Sequence, residues 1–139
     1  MVNGIITRKL EHLDSVLAEV RSLGAVTALK LRRSWRLRRI VERELQVLVE
    51  IVIDVCQRIL ALRGATPPAS GGDAIKRCIE LGVLKPREAY GRMAGFRNIV
   101  VHRYENVDVE VLAGIVSRNL CAFTAFRNDV KNYVRRTRS

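Results

Sequence analysis

Four things are scarce in this sequence: aromatic rings, proline, cysteine and acidic side chains. Aromatics make up 5% of the 139 residues, so aliphatic side chains have to fill the core. Three prolines leave long stretches unbroken, and Leu, Val, Ala, Glu and Arg recur throughout, a composition that favours helices. The three cysteines, Cys56, Cys78 and Cys121, are an odd, widely spaced set, which argues against a disulfide framework or a structural zinc site. Each lies in an apolar stretch, which predicts buried, reduced thiols. Long hydrophobic runs are missing too. The most apolar stretch, 45–55, is interrupted by Gln46, Glu50 and Asp54, too short and too polar to span a bilayer. Residues 1–9 contain no continuous apolar run, so no secretory leader is expected. A reducing cytoplasm, with no membrane attachment, fits these features.

The shortage of acid matters most. Fourteen Asp and Glu stand against 25 Lys and Arg, a net charge of +11 at pH 7. A field of that sign draws polyanions and speeds their arrival, which points to nucleic acid. It is also compatible with an acidic protein partner, or with solubility alone. At this length, with 48% hydrophobic residues, the chain is expected to form one domain, 1–139, with a short basic tail at 134–139.

Helical periodicity is evident from the start. Ile6, Leu10, Leu13, Leu17 and Val20 step by four, three, four and three, placing them on one face of a helix over about 5–22 that stops at Gly24. Residues 25–37 carry Lys30, Arg32, Arg33 and Arg36 around a lone Trp35. The next helix starts somewhere between Leu31 and Arg39 and runs to about Leu62. It is apolar around most of its circumference, as suits a central helix. Its one polar seam is Glu42, Gln46, Glu50 and Asp54, at four-residue intervals. That seam is either a solvated, salt-bridged edge or the lining of a cleft that orients basic residues.

A loop with Pro67-Pro68 and Gly71-Gly72 follows. Asp73 is the expected cap of a short helix ending near Leu81, with Gly82 as its stop. Pro86 and Glu88 suit the first turn of a fourth helix, carrying Ala89, Tyr90, Met93, Phe96, Val100 and Val101 and ending around 101–103. Asp108 caps a fifth that buries Val111, Leu112, Ile115, Val116, Leu120, Phe123 and Tyr133. The expected fold class is all-α, an antiparallel bundle of four to five helices.

The most informative stretch is Gly95-Phe96-Arg97-Asn98-Ile99-Val100-Val101-His102-Arg103-Tyr104. It places an arginine five residues before a histidine. RNA is cleaved without a metal when its own 2′-hydroxyl attacks the adjacent phosphorus. That reaction needs groups to take and return protons, and histidine, with a pKa near ~6.5, suits both tasks. It also needs a cation for the charge gathering on phosphorus, and a guanidinium grips two oxygens at once without deprotonating. Arg97 and His102 supply this pair, with no metal and no cofactor. Five residues of ideal helix turn through about 500°, setting the two about 140° apart. They converge only if the helix ends between them or if two subunits pool their motifs. Asn98 lies four before His102 and would orient it or bind a phosphate oxygen. Arg97 is also a possible ion-pair partner for Glu50 or Asp54. His12 reads as a surface or capping residue, and Met93 and Phe96 as core.

The extended run Gly-Phe-Arg-Asn-x-x-Val-His-x-Tyr, followed by Val107-Asp108, resembles the HEPN superfamily, specifically the HepT-like toxins of nucleotidyltransferase-paired toxin–antitoxin modules. Arg8-Lys9-Leu10-Glu11 is similar to that family's first helix, and Glu50-Ile51-Val52-Ile53-Asp54 to its central one. The Arg-rich stretch 30–39 is not a recognised family feature. The resemblance implies a homodimeric, metal-independent endoribonuclease with Arg97 and His102 in a composite cleft, supported by Asn98, Glu50 and Asp54. It also implies a cognate nucleotidyltransferase antitoxin that attaches AMP to Tyr104, making the toxin a nucleotide-bearing phosphoprotein. The added charge and bulk would repel RNA from the cleft. Arg32, Arg33, Arg36 and Arg103 are candidate RNA contacts. The competing expectation is a non-catalytic helical module that binds a nucleotidyltransferase or nucleic acid.

Overall fold

The computed structural model describes the backbone of residues 2–101 and 108–137, and the side chains of residues 4–96 and 108–137. Among the described residues there is no strand. Helix α1 spans Val2–Ser22, α2 Ala28–Arg33, α3 Trp35–Leu62, α4 Gly71–Glu80, α5 Glu88–Val101, α6 Val109–Gly114 and α7 Leu120–Thr137. A π-helical turn, Ile115–Asn119, joins α6 to α7, so these two form one long rod.

Helix α3 is the axis of the fold and packs against α1, α2, α4, α5, α6 and α7. Its buried residues, among them Leu45, Leu48, Val49, Val52, Val55 and Ile59, face several directions, as its near-continuous apolar circumference requires. Ile6, Leu10, Leu13, Leu17 and Val20 of α1 pack into this core as their spacing predicts. Lys9 pairs with Asp54 and Glu19 acts electrostatically on Glu44, so α1 and α3 run antiparallel. Asp14 with Arg127, and Arg21 with Thr124, fix the same relation between α1 and α7.

Several expectations need correction. The stretch before α3 holds an additional short helix, α2, giving one more element than the four or five expected. Ser34 separates the two helices: its N–H donates to the Lys30 carbonyl, ending α2, while its hydroxyl accepts from Leu37 N, starting α3. The cap of α4 is Ser70, whose hydroxyl accepts from Asp73 N at 3.0 Å. Asp73 sits in the first turn and reaches back to accept from Ala69 N at 2.9 Å, a reciprocal arrangement close to a capping box. Val111 is 38% exposed, and Cys121 is exposed as well, whereas Cys56 and Cys78 are buried free thiols.

Pro86 lies two residues before α5 and not in its first turn, whereas the other capping signals hold. Asp108 caps α6 by accepting from Glu110 N at 2.8 Å. Gly82, at φ +78°, ends α4 in a conformation that L side chains rarely adopt. Gly71 is needed for a different reason: a Cβ there would sit 2.6 Å from Ile53 Cδ1, so its absence lets α4 approach α3. The rod Val109–Thr137 is long and apolar enough to cross a bilayer by length and composition. Its Leu112, Ile115, Leu120, Phe123, Phe126 and Val130 are buried against the other helices.

Candidate functional site

Helix α5 carries the Arg97-Asn98 pair in its last two turns, and its position is fixed from the other end. Tyr90 is fully buried in the first turn, and its hydroxyl donates to Asp129 Oδ2 of α7 at 2.5 Å. The same carboxylate accepts two hydrogen bonds from Arg87, both at 3.2 Å, and one from Lys85 N at 3.2 Å. The Asp129 side chain is only 2% exposed, so this full set of donors is what makes its burial tolerable. Burial pushes the carboxyl's pKa up, but the bonds from Arg87, Tyr90 and Lys85 outweigh it and hold it below the usual carboxylate value. Burial, then the bond to Asp129, pushes the Tyr90 phenol well above its ordinary value. Tyr90 packs edge-on against Phe126, their ring planes at 88°. Met93 and Phe96 follow on the buried side, as expected.

From this anchor the backbone carries Arg97 two turns onward, in nearly the same register as Tyr90. The side chains of Arg97 and Asn98 lie outside the described residues, as do His102, Arg103 and Tyr104 entirely. The expected convergence of Arg97 and His102, and any ion pair of Arg97 with Glu50 or Asp54, therefore fall outside the described residues.

The polar seam of α3 is satisfied in successive pairs. Buried Glu42 accepts from Arg38 Nε at 3.2 Å, Glu50 accepts from Gln46 at 3.1 Å, and Asp54 takes Lys9 at 3.2 Å. Beside it, Glu44 is half-buried, with one carboxylate oxygen lacking a hydrogen bond. Desolvation, then Glu19, raises its pKa against the opposing pull of Arg43 and His12. His12 is exposed. Among the described residues no cluster of His, Cys, Asp or Glu could hold a metal ion.

The Arg-rich stretch divides into two groups. Arg32 pairs with Glu110 of α6 at 2.9 Å, where α2 packs against the long rod. Arg33 and Arg36 point outward, and the Arg36 guanidinium lies 5.4 Å from the centroid of the Trp35 ring. Sequence reasoning missed the Asp129 cluster. The available signal was Asp129 itself, sharing the buried stripe of Phe126 and Val130, where a carboxylate needs partners.

Comparison with known proteins bears on the region containing these residues. The family profile described as Ribonuclease HepT-like matches residues 7–136. No curated protein matches the chain. Among solved structures, a tri-AMPylated HEPN toxin of Shewanella oneidensis, in complex with its MNT antitoxin, is 21% identical with a TM-score of 0.83, over 94% of this chain and 98% of that one. A toxin–antitoxin complex with AMP-PNP is 21% identical, TM-score 0.84, over 94% and 99%. A mutant of the MntA-HpeT toxin–antitoxin pair is 20% identical, TM-score 0.81, over the same shares. At these identities the structures share the fold. With a helical bundle of this form and a family profile spanning nearly its whole length, the chain belongs to the HepT-like family of HEPN proteins, described as Ribonuclease HepT-like.

Proposed function

We propose that this chain is the toxin of a toxin–antitoxin pair and a metal-independent endoribonuclease that works in the cytoplasm as a homodimer. The observation that carries this reading is the run from Gly95 to Tyr104, which lies within the family-matched region and whose residues 95–101 close helix α5. In the proposed reaction a ribose 2′-oxygen forms a bond to the adjacent phosphorus, and the bond from phosphorus to the 5′-oxygen breaks. His102 takes the hydroxyl proton or protonates the leaving oxygen, and Arg97 neutralises the phosphorane-like transition state. On an ideal helix the two residues would lie about 140° apart, which favours a cleft pooled from two chains. Asn98 orients His102, and Glu50 and Asp54 border the cleft.

The partner in this reading is a nucleotidyltransferase antitoxin that attaches AMP to Tyr104. The support is the fold shared with HEPN toxins solved beside MNT antitoxins, one of them tri-AMPylated. AMP there would add negative charge beside a cationic cleft and oppose RNA binding. The test is cleavage of RNA by purified chain in EDTA, with growth on induction measured in parallel. Wild type should cut and arrest growth, and Arg97→Ala or His102→Ala should lose about 10²–10³-fold in rate. Intact RNA, with both variants as toxic as wild type, would leave a non-catalytic binding module.

A further inference from the structure

A second surface draws attention because it breaks two rules of protein exteriors together. Trp35, the chain's only tryptophan, is 68% exposed at the start of α3. Large apolar rings are seldom left this open without a partner. The charged residues flanking it in sequence are of one sign. From residue 20 to residue 41 there is no Asp or Glu, while Arg21, Lys30, Arg32, Arg33, Arg36, Arg38 and Arg39 fall within the same span.

The helix register gathers these features on one face. On an ideal helix Arg39 and Arg43 follow Trp35 at about 40° and 80°, with Arg36 and Ile40 at about 100° and 140°. All five are exposed, whereas Leu37, Val41 and Leu45 turn inward. Arg33, Arg36, Arg39 and Arg43 make no ion pair among the described residues, in contrast to Arg32, which is held by Glu110. Arg36 lies over the indole, and the tryptophan as a whole stays 68% exposed.

We infer that the outward face of α3 around Trp35 is a stacking platform for single-stranded RNA: a base lies on the exposed indole, and Arg36, Arg39 and Arg43 track the phosphates. The inference draws on the ribonuclease reading only for the identity of the polymer. A duplex buries its base faces in its own stack, so an exposed indole flanked by cations suits unpaired nucleotides. A second copy of this chain is a poor occupant, because a two-fold contact would set arginines against arginines.

The test uses the full chain in EDTA and a fluorescein-labelled, unstructured 2′-O-methyl 12-mer, whose blocked 2′-oxygen prevents cleavage. Trp35 emission should be quenched saturably, since no other tryptophan contributes. By anisotropy, Trp35→Ala should weaken binding about tenfold or more, while Trp35→Phe retains most of the affinity. The Arg36→Gln/Arg39→Gln pair should lower the slope of log K against log salt by about 1.4, two single-strand phosphate contacts. Trp35→Phe also keeps the test open if the alanine variant unfolds, which thermal melts would reveal.

Binding by Trp35→Ala within twofold of wild type overturns the inference. So does displacement of the oligonucleotide by polyglutamate at equal charge concentration, which would assign the face to an acidic protein. A change from dimer to monomer in Trp35→Ala would assign it to a second copy and overturn the inference likewise. Wild type that binds the analogue through Trp35 yet leaves cleavable RNA intact overturns the ribonuclease reading alone. Trp35→Ala that cuts RNA with unchanged affinity overturns the platform alone.

Discussion

Arginine serves opposite purposes in two parts of this molecule. Arg87 closes a buried cluster in which Asp129, Tyr90 and Lys85 N satisfy one another. Arg36, Arg39 and Arg43 stand on an open face beside Trp35, without ion-pair partners among the described residues. The first arrangement consumes its charge inside the fold and fixes where α5 lies. The second leaves its charge available to something outside. Whether a charged residue shapes the fold or serves recognition is decided here by what lies opposite it, not by its type.

The sharpest way to break this contrast is to remove the carboxylate. Asp129→Ala leaves the Tyr90 hydroxyl, the Arg87 guanidinium and Lys85 N without their shared acceptor. Urea unfolding should show a loss of about 2–4 kcal/mol, at the lower end because Arg87 keeps partial access to water. A loss below about 1 kcal/mol would mean that the cluster is incidental. Acid should act in the same direction. The folded-state pKa of Asp129 is depressed, so its stabilising contribution is complete above the unfolded value, about 3.9, and fades as pH falls through the folded one. Wild type should therefore lose stability below about pH 4, by more than Asp129→Asn does over the same range. Tyr90→Phe deletes one donor and keeps the ring, and about 1–2 kcal/mol is expected, read from the urea midpoint. The smallest effect belongs to Arg32→Ala. Its pair with Glu110 is more than half exposed on both sides, at 53% and 66%, so thermal melts should register no more than about 0.5 kcal/mol.

Much of the fold was legible because it rests on local rules. The α1 stripe, the Gly82 stop and the Asp108 cap each depend on residues within a turn or two. Helix α2 was not legible. Six residues are too few to hold a helix alone, and only Leu31 among them is buried. Its existence depends on Ser34 and on packing against α6, 78 residues away at the Arg32–Glu110 pair. The Asp129 cluster was hidden for the same reason: its partners lie 39 to 44 residues away in sequence. At the candidate site, the helical setting of Arg97 and Asn98 follows from sequence and is seen in α5. The function proposed for them was legible only through the motif and its family, because an arginine five residues before a histidine defines no common face on one helix.

The π turn at Ile115–Asn119 has its own trace in the chain: buried positions step from Ile115 to Leu120 by five, where a regular helix steps by three or four. That one surplus residue is taken up as slack between two gear trains. Upstream, Leu112 meshes with the core, and downstream Phe123, Phe126 and Asp129 do. Deleting it would restore a regular step of four, about 400° of ideal helix, and leave both halves facing the core. The α6 contacts and the Asp129 anchor would both stay in mesh, so a relative one residue shorter along this rod should place its gap at this turn.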